Sequence, residues 1–145
     1  MWVELIRAAS SECSFSEPTA WASLDVAESS LNVAFPTELR ELLLESNGVQ
    51  GEYGLGLVWP VERIVSDNVN FRQNKNFFDI YMPFDYLLFF GDNGSGDLFA
   101  FPIMANGEIH RSDIFAWNHE DDSRTWAAPS LKLFFKWWAE GQIKI

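Results

Sequence analysis

Two short apolar runs on either side of a glycine-rich loop place the strongest constraint on the fold. Residues 86–90 and 98–103 are almost wholly apolar but only five or six residues long, which favours buried strands over helices. Residues 91–97 between them contain only Gly, Asp, Asn and Ser, a composition typical of a turn. The centre of the chain is therefore predicted to form two antiparallel strands.

Helices are predicted before and after these strands rather than alternating with them. Apolar spacing predicts a marginal helix within residues 1–17, one after Pro18 and one over residues 36–48. It also predicts a short helix over residues 61–65 that runs into a polar stretch, and a last helix over residues 130–141.

Additional strands are predicted at residues 55–59, 108–110 and 114–117, with a hairpin turn at Asn106-Gly107. Strand–helix alternation is absent, so the fold class is α+β, a mostly antiparallel sheet flanked by helices. The 145-residue length suits one domain. We expect an N-terminal segment over residues 1–17 and a single domain over residues 18–145.

The charge of the chain constrains its partners. Twenty-one Asp and Glu against ten Lys and Arg give a formal net charge of −11. Such a field repels nucleic acids and anionic membranes and attracts basic proteins. Solubility alone is the alternative explanation, since net charge does not specify a binding site.

Sequence motifs for chemistry are incomplete. The loop at residues 91–97 lacks the Lys and following helix of a phosphate loop, and it lacks the ligand spacing of a calcium loop. His119-Glu120 lacks the second His of a zinc-protease helix, and the single cysteine, Cys13, has no base near it in sequence. We therefore predict neither an enzyme nor a metal or cofactor site, while a small-molecule or metal-binding protein remains an alternative.

Three features of the sequence indicate where in the cell the protein is located. The N-terminal residues do not resemble a signal peptide, neither apolar run approaches the roughly 20 residues that span a bilayer, and one cysteine cannot form an internal disulfide. The expected location is the cytoplasm, with no membrane partner.

Several motifs together resemble the SUKH superfamily, the Smi/Knr-like domain. The resemblance covers roughly residues 18–140 and rests on these segments: Phe35-Pro36 with Leu39, Leu42-Leu43 and Asn47-Gly48; Trp59 and Ile64; residues 91–98; residues 107–109; and the aromatic helix over residues 130–138.

This resemblance implies an α+β fold and a non-enzymatic role. Bacterial members are similar to immunity proteins that bind and neutralise polymorphic toxins, often nucleases, and fungal relatives are similar to signalling scaffolds. The predicted function is therefore a protein-binding immunity module with a basic toxin domain as its partner. A regulatory or scaffold module for another protein partner is the alternative.

Acidic and aromatic residues in the predicted loops are the candidate contacts with this partner. They are Asp92, Asn93, Asp97, Glu108, Asp113, Trp117, Glu120, Asp121 and Asp122.

Overall fold

Seven strands form two antiparallel sheets in the computed structural model, which describes residues 1–145. The smaller sheet contains, in spatial order, Ser14–Phe15 (β1), Val49–Gln50 (β2) and Gly56–Val58 (β3). The larger sheet contains Leu87–Asp92 (β4), Leu98–Pro102 (β5), Ile114–Trp117 (β6) and Arg124–Ala128 (β7), again in spatial order.

Five α-helices flank the sheets: Trp2–Ala9 (α1), Trp21–Leu31 (α2), Thr37–Glu45 (α3), Val61–Gln73 (α4) and Leu131–Ala139 (α5). Short 3₁₀ turns occupy Glu52–Gly54 and Lys75–Phe77. The predicted α+β class is therefore confirmed.

The N-terminal helix shares the core of the rest of the chain. Trp2 and Ile6 of α1 are buried in the hydrophobic core. The Glu45 carboxylate, at the end of α3, accepts hydrogen bonds from the backbone N–H groups of Trp2 (2.9 Å) and Val3 (3.2 Å). A carboxylate at this position stabilises the first turn of a helix, so α3 fixes α1 in place.

Two predicted helices are confirmed with their buried faces. In α3, Leu39, Leu42 and Leu43 are buried, and Gly48 has a positive φ shortly after the helix ends. In α5, Leu131, Phe134 and Phe135 are buried, and the Ser130 side chain caps the first turn by accepting from Leu133 N–H at 3.2 Å.

Helix α4 is longer than predicted, because its polar half includes a buried asparagine that forms hydrogen bonds with the backbone of β4. Asn68 is fully buried, and its side-chain amide donates to the carbonyl oxygens of Ile64 (2.7 Å) and Phe89 (2.8 Å). Its Oδ1 accepts from the backbone N–H of Phe89 at 2.9 Å. The polar stretch after residue 65 thus continues as a helix whose amide binds β4.

The two sheets meet where Gly91 allows the backbone of β3 to approach β4. A Cβ atom at Gly91 would lie 2.1 Å from the Leu57 carbonyl oxygen, which only glycine permits. Trp59 N–H donates to the Phe90 carbonyl at 2.7 Å beside this contact. The register of the β4–β5 pairing shifts between Phe89 and Gly91, which marks a β-bulge at this contact.

The predicted hairpin at Asn106-Gly107 is wrong. β5 ends at Pro102 and β6 begins only at Ile114. Of the two turn residues, Gly107 alone has a positive φ, so the paired conformation of a two-residue hairpin does not form. Residues 108–110 lie in the connection rather than in a strand.

Candidate protein-binding surface

The strand order divides the predicted contact residues between two ends of the larger sheet. Consecutive strands are antiparallel neighbours, so the β4–β5 and β6–β7 turns share one end and the β5–β6 connection lies at the other. Glu108 and Asp113 are therefore separated from the remaining predicted contacts, namely Asp92, Asn93, Asp97, Trp117, Glu120, Asp121 and Asp122.

Asp97 joins the two turns at the shared end. Its Oδ1 lies 2.7 Å from His119 Nδ1 and accepts from His119 N–H at 3.1 Å, while Oδ2 accepts from Asn93 Nδ2 at 3.1 Å. Burial acts to raise the pKa of Asp97, but the hydrogen bonds from His119 and Asn93 outweigh it and hold the pKa below its ordinary value. Asp97 and Asn93 therefore organise the turns from within.

Asp122 connects the β6–β7 turn to the segment before β4. Its carboxylate accepts from Trp117 Nε1 (2.7 Å), from Met82 N–H (2.8 Å) and from Arg124 Nη2 (2.9 Å). Burial opposes ionisation here too, yet these donors lower the pKa of Asp122. Because the carboxylate is already bound by three donors, it has little capacity left for a partner.

Asp92 also binds groups within the chain. Its Oδ2 accepts from Trp59 Nε1 at 2.7 Å and lies 3.5 Å from Arg63 Nη2. The Arg63 guanidinium lies over the Trp59 ring, 4.3 Å from the ring centroid. Asp92 therefore anchors β4 to the smaller sheet.

Trp117 belongs to the core, which corrects its assignment as a partner contact. Its side chain is only 3% exposed. The ring packs edge-on against Phe71, Tyr81 and Phe84 at centroid distances of 5.0–5.6 Å. A partner at the surface could not reach it without unfolding this aromatic cluster.

Among the predicted acidic contacts at the shared end, Glu120 and Asp121 are exposed. At the opposite end Glu108 is exposed, whereas Asp113 accepts from Trp126 Nε1 at 2.8 Å and from Arg111 Nε at 2.5 Å. Those two hydrogen bonds lower the pKa of Asp113. Each end thus offers exposed acidic side chains.

An exposed apolar segment that the sequence analysis did not single out adjoins the shared end. Phe78, Ile80 and Met82 have exposed fractions of 60%, 65% and 60%. The segment is fixed to the β6–β7 turn, because Tyr81 Oη donates to the His119 carbonyl at 2.9 Å and Arg124 donates to the Met82 carbonyl at 2.8 Å. The signal in the sequence was an apolar run with no period, interrupted by aspartates.

We call the exposed residues of this segment and of the adjoining β6–β7 turn the apolar–acidic surface: Phe78, Asp79, Ile80, Met82, Glu120 and Asp121. All six are exposed. Beside it, a cleft of about 250 Å³ opens between the end of α4 and residues 77–85. Arg72 lines the cleft, and burial lowers the pKa of its guanidinium, which donates to the carbonyl oxygens of Leu31 and Leu87 at 3.2 Å each.

Three findings bear on metal binding, on the single cysteine and on membrane insertion. No group of three or more His, Cys, Asp or Glu side chains is arranged to hold a metal ion. Cys13 is partly buried, and burial raises the pKa of its thiol, which disfavours the nucleophilic thiolate. No helix has the length and apolar character needed to cross a bilayer.

Comparison with known proteins gives one family. The SUKH family model described as "SMI1-KNR4 cell-wall" matches residues 22–135, a region that includes the turns at the shared end and the apolar segment. No curated protein matches the chain at a significant level.

Proposed function

Because the chain belongs to the SUKH superfamily, we propose that it is a non-enzymatic immunity module that neutralises a basic toxin domain by direct contact. The toxin is of the polymorphic type, often a nuclease. The apolar–acidic surface provides the contact, and no chemical step is required.

The observation that carries this proposal is the exposure of Phe78, Ile80 and Met82 between carboxylates. A protein–protein interface has apolar and aromatic anchors at its centre and polar groups at its rim. Here the three apolar side chains provide the anchors, while Asp79, Glu120 and Asp121 provide the rim.

Charge supports a basic partner. Long-range attraction from a net charge of −11 accelerates encounter with a cationic domain, and rim carboxylates orient it. A nuclease needs cationic side chains to hold phosphate oxygens. Carboxylates at the rim compete for those same side chains, which is a simple route to inhibition.

A second candidate is a regulatory or scaffold module for a different protein. The cell-wall description of the matching family favours it. A toxin gene beside the gene for this chain supports the immunity module, and its absence supports the scaffold.

The test uses the purified product of the adjacent toxin-like gene. Ile80→Ala should weaken binding by about fivefold or more, since anchor residues contribute roughly 1–2 kcal/mol or above. Val26→Ala is the matched control, because Val26 is also 65% exposed but lies on α2; it should leave the affinity unchanged.

Glu120→Lys should slow association and weaken its dependence on salt, with a smaller change in dissociation. Growth protection against the toxin in a co-expression assay should follow the affinities. Absence of binding at low salt would contradict the proposal, and equal losses in Ile80→Ala and Val26→Ala would contradict the assigned surface.

A further inference from the structure

We infer that the groove between α1 and α5 is a second docking surface that binds an acidic amphipathic helix of another protein. It is separate from the apolar–acidic surface and has the opposite charge. It extends the proposed function without depending on it.

The groove has an apolar floor and a cationic side. It has a volume of about 630 Å³. Leu5 and Ala8 of α1 face Leu133 and Ala139 of α5 across it, and all four are at least partly exposed.

Lys132 and Lys136 line the α5 side, with Glu140 one turn further along. The two lysines are separated by four residues, so they lie on one face about 6 Å apart along the helix axis. Glu140 carries the only negative charge among the lining residues.

Like Arg7, which lies over the Phe15 ring, these two lysines have no ion-pair partner, whereas most of the arginines are bound. Arg40, Arg63, Arg111 and Arg124 are in salt bridges, and Arg72 is bound to carbonyl oxygens. None of the four lysines is in a salt bridge.

Three of the four lysines are Lys132, Lys136 and Lys144, on α5 and the residues that follow it. Of these, Lys132 and Lys136 line the groove with a single carboxylate, Glu140, so its lining has a net positive charge in a chain whose formal net charge is −11. This local positive charge favours an anionic partner at the groove, whereas the net negative charge of the chain disfavours one over most of the remaining surface.

Geometry favours a helix as the occupant. A helix that lies between two others packs its apolar ridge into the groove they form. α5 has nine residues and is about 13 Å long. A partner with apolar residues at i, i+3, i+4 and i+7 fits this length, and carboxylates four residues apart on its flank match Lys132 and Lys136.

The experiment uses a designed peptide of about 18 residues, long enough to form an isolated helix, with a leucine stripe flanked by glutamates. A second peptide carries lysine in place of every glutamate. Backbone ¹⁵N–¹H shifts are recorded for the full chain during titration with each peptide. We expect saturable shifts confined to α1 and α5 with the glutamate peptide and none with the lysine peptide.

Lys132→Glu should weaken binding of the glutamate peptide about fivefold, because exposed charge pairs contribute roughly 0.2–1 kcal/mol and reversal replaces attraction with repulsion. The substitution lies in the first turn of α5, where a carboxylate is favourable, so the fold is retained. Lys75→Glu, an equal change in charge outside the groove, is the control and should bind as the unmodified chain does.

Three results would overturn the inference. They are shifts that spread over the apolar–acidic surface, equal binding of both peptides, or self-association of the chain with α1–α5 shifts in the absence of peptide. The last would assign the groove to a second copy of this chain. Toxin binding by Lys132→Glu should be unchanged, so the two docking surfaces are tested independently.

Discussion

Asp121 and Asp122 are adjacent acidic residues that the structure predicts to differ widely in their effect on stability. Asp121 is exposed and accepts from Ser123 N–H at 2.9 Å within its own turn. Asp122 binds three donors from three parts of the chain, on Trp117, Met82 and Arg124. Alanine at each position therefore separates a local turn contact from a tertiary one.

The expected decrease in the free energy of unfolding for Asp122→Ala follows from the hydrogen-bond donors that the carboxylate binds. Hydrogen bonds to a charged group contribute about 1.5–3 kcal/mol each, and they are not additive. Trp117 Nε1–H would remain almost buried without an acceptor, whereas Arg124 would keep its bonds to the carbonyl oxygens of Met82 and Pro83. Residue 122 also has φ +61°, which is unfavourable for alanine by about 1 kcal/mol.

The sum is a destabilisation of about 4 kcal/mol for Asp122→Ala and below about 1 kcal/mol for Asp121→Ala. For 145 residues the unfolding entropy is about 0.3 kcal/mol/K, so 4 kcal/mol corresponds to a Tm decrease of about 13 °C. Urea unfolding followed by circular dichroism gives the free energies, and calorimetry gives Tm.

Asp122→Asn is the matched control. Asparagine tolerates the same backbone conformation and keeps one accepting oxygen, so we expect an intermediate loss of about 2 kcal/mol. Equal free energies of unfolding for Asp121→Ala and Asp122→Ala would refute the reasoning, because the tertiary hydrogen bonds would then contribute nothing.

Two other predictions concern acid and the junction between the sheets. The pKa values of Asp97 and Asp122 lie below the ordinary value of about 3.8, so at pH values near and below it the unfolded chain binds more protons than the folded chain. The stabilisation that these carboxylates provide is therefore complete well above pH 4 and declines in more acidic solution. The decline in the free energy of unfolding, measured by urea unfolding, should be shallower in Asp122→Asn. Gly91→Ala places a Cβ atom against the Leu57 carbonyl and should lower the free energy of unfolding by about 3 kcal/mol or more. Gly107→Ala is the control, because nothing lies within 4 Å of its Cβ atom; its positive φ should lower the free energy of unfolding by about 1 kcal/mol. Similar Tm values for the two glycine variants would contradict the close approach of β3 to β4.

Sequence patterns predicted two kinds of element: helices that bury one face, and strands that are buried along almost their whole length. The stripes of α3 and α5 are of the first kind, and the apolar runs of β4 and β5 are of the second. β7 was not predicted, because it is an edge strand in which Thr125 and Trp126 are both exposed, so no alternation marks it. The polar half of α4 was not assigned to the helix because the role of Asn68 depends on a strand 21 residues away.

The candidate site was predictable only in part for a related reason. Composition indicates acidic turns, but it cannot distinguish Asp121, which faces solvent, from Asp122, which holds the fold together. Apolar residues such as Ile80 and Met82 are usually assigned to a core, and only the three-dimensional packing shows that these two are exposed.

The contact between Asn68 and Phe89 determines how the larger sheet can grow. Both backbone polar groups of Phe89 on the outer side of β4 are bound by one side chain, and the neighbouring Phe90 carbonyl is bound by Trp59 N–H. An incoming chain finds no free donor or acceptor at those residues, so strand addition is blocked on that side. β7 pairs only with β6, and it is therefore the one margin at which this sheet could accept another strand.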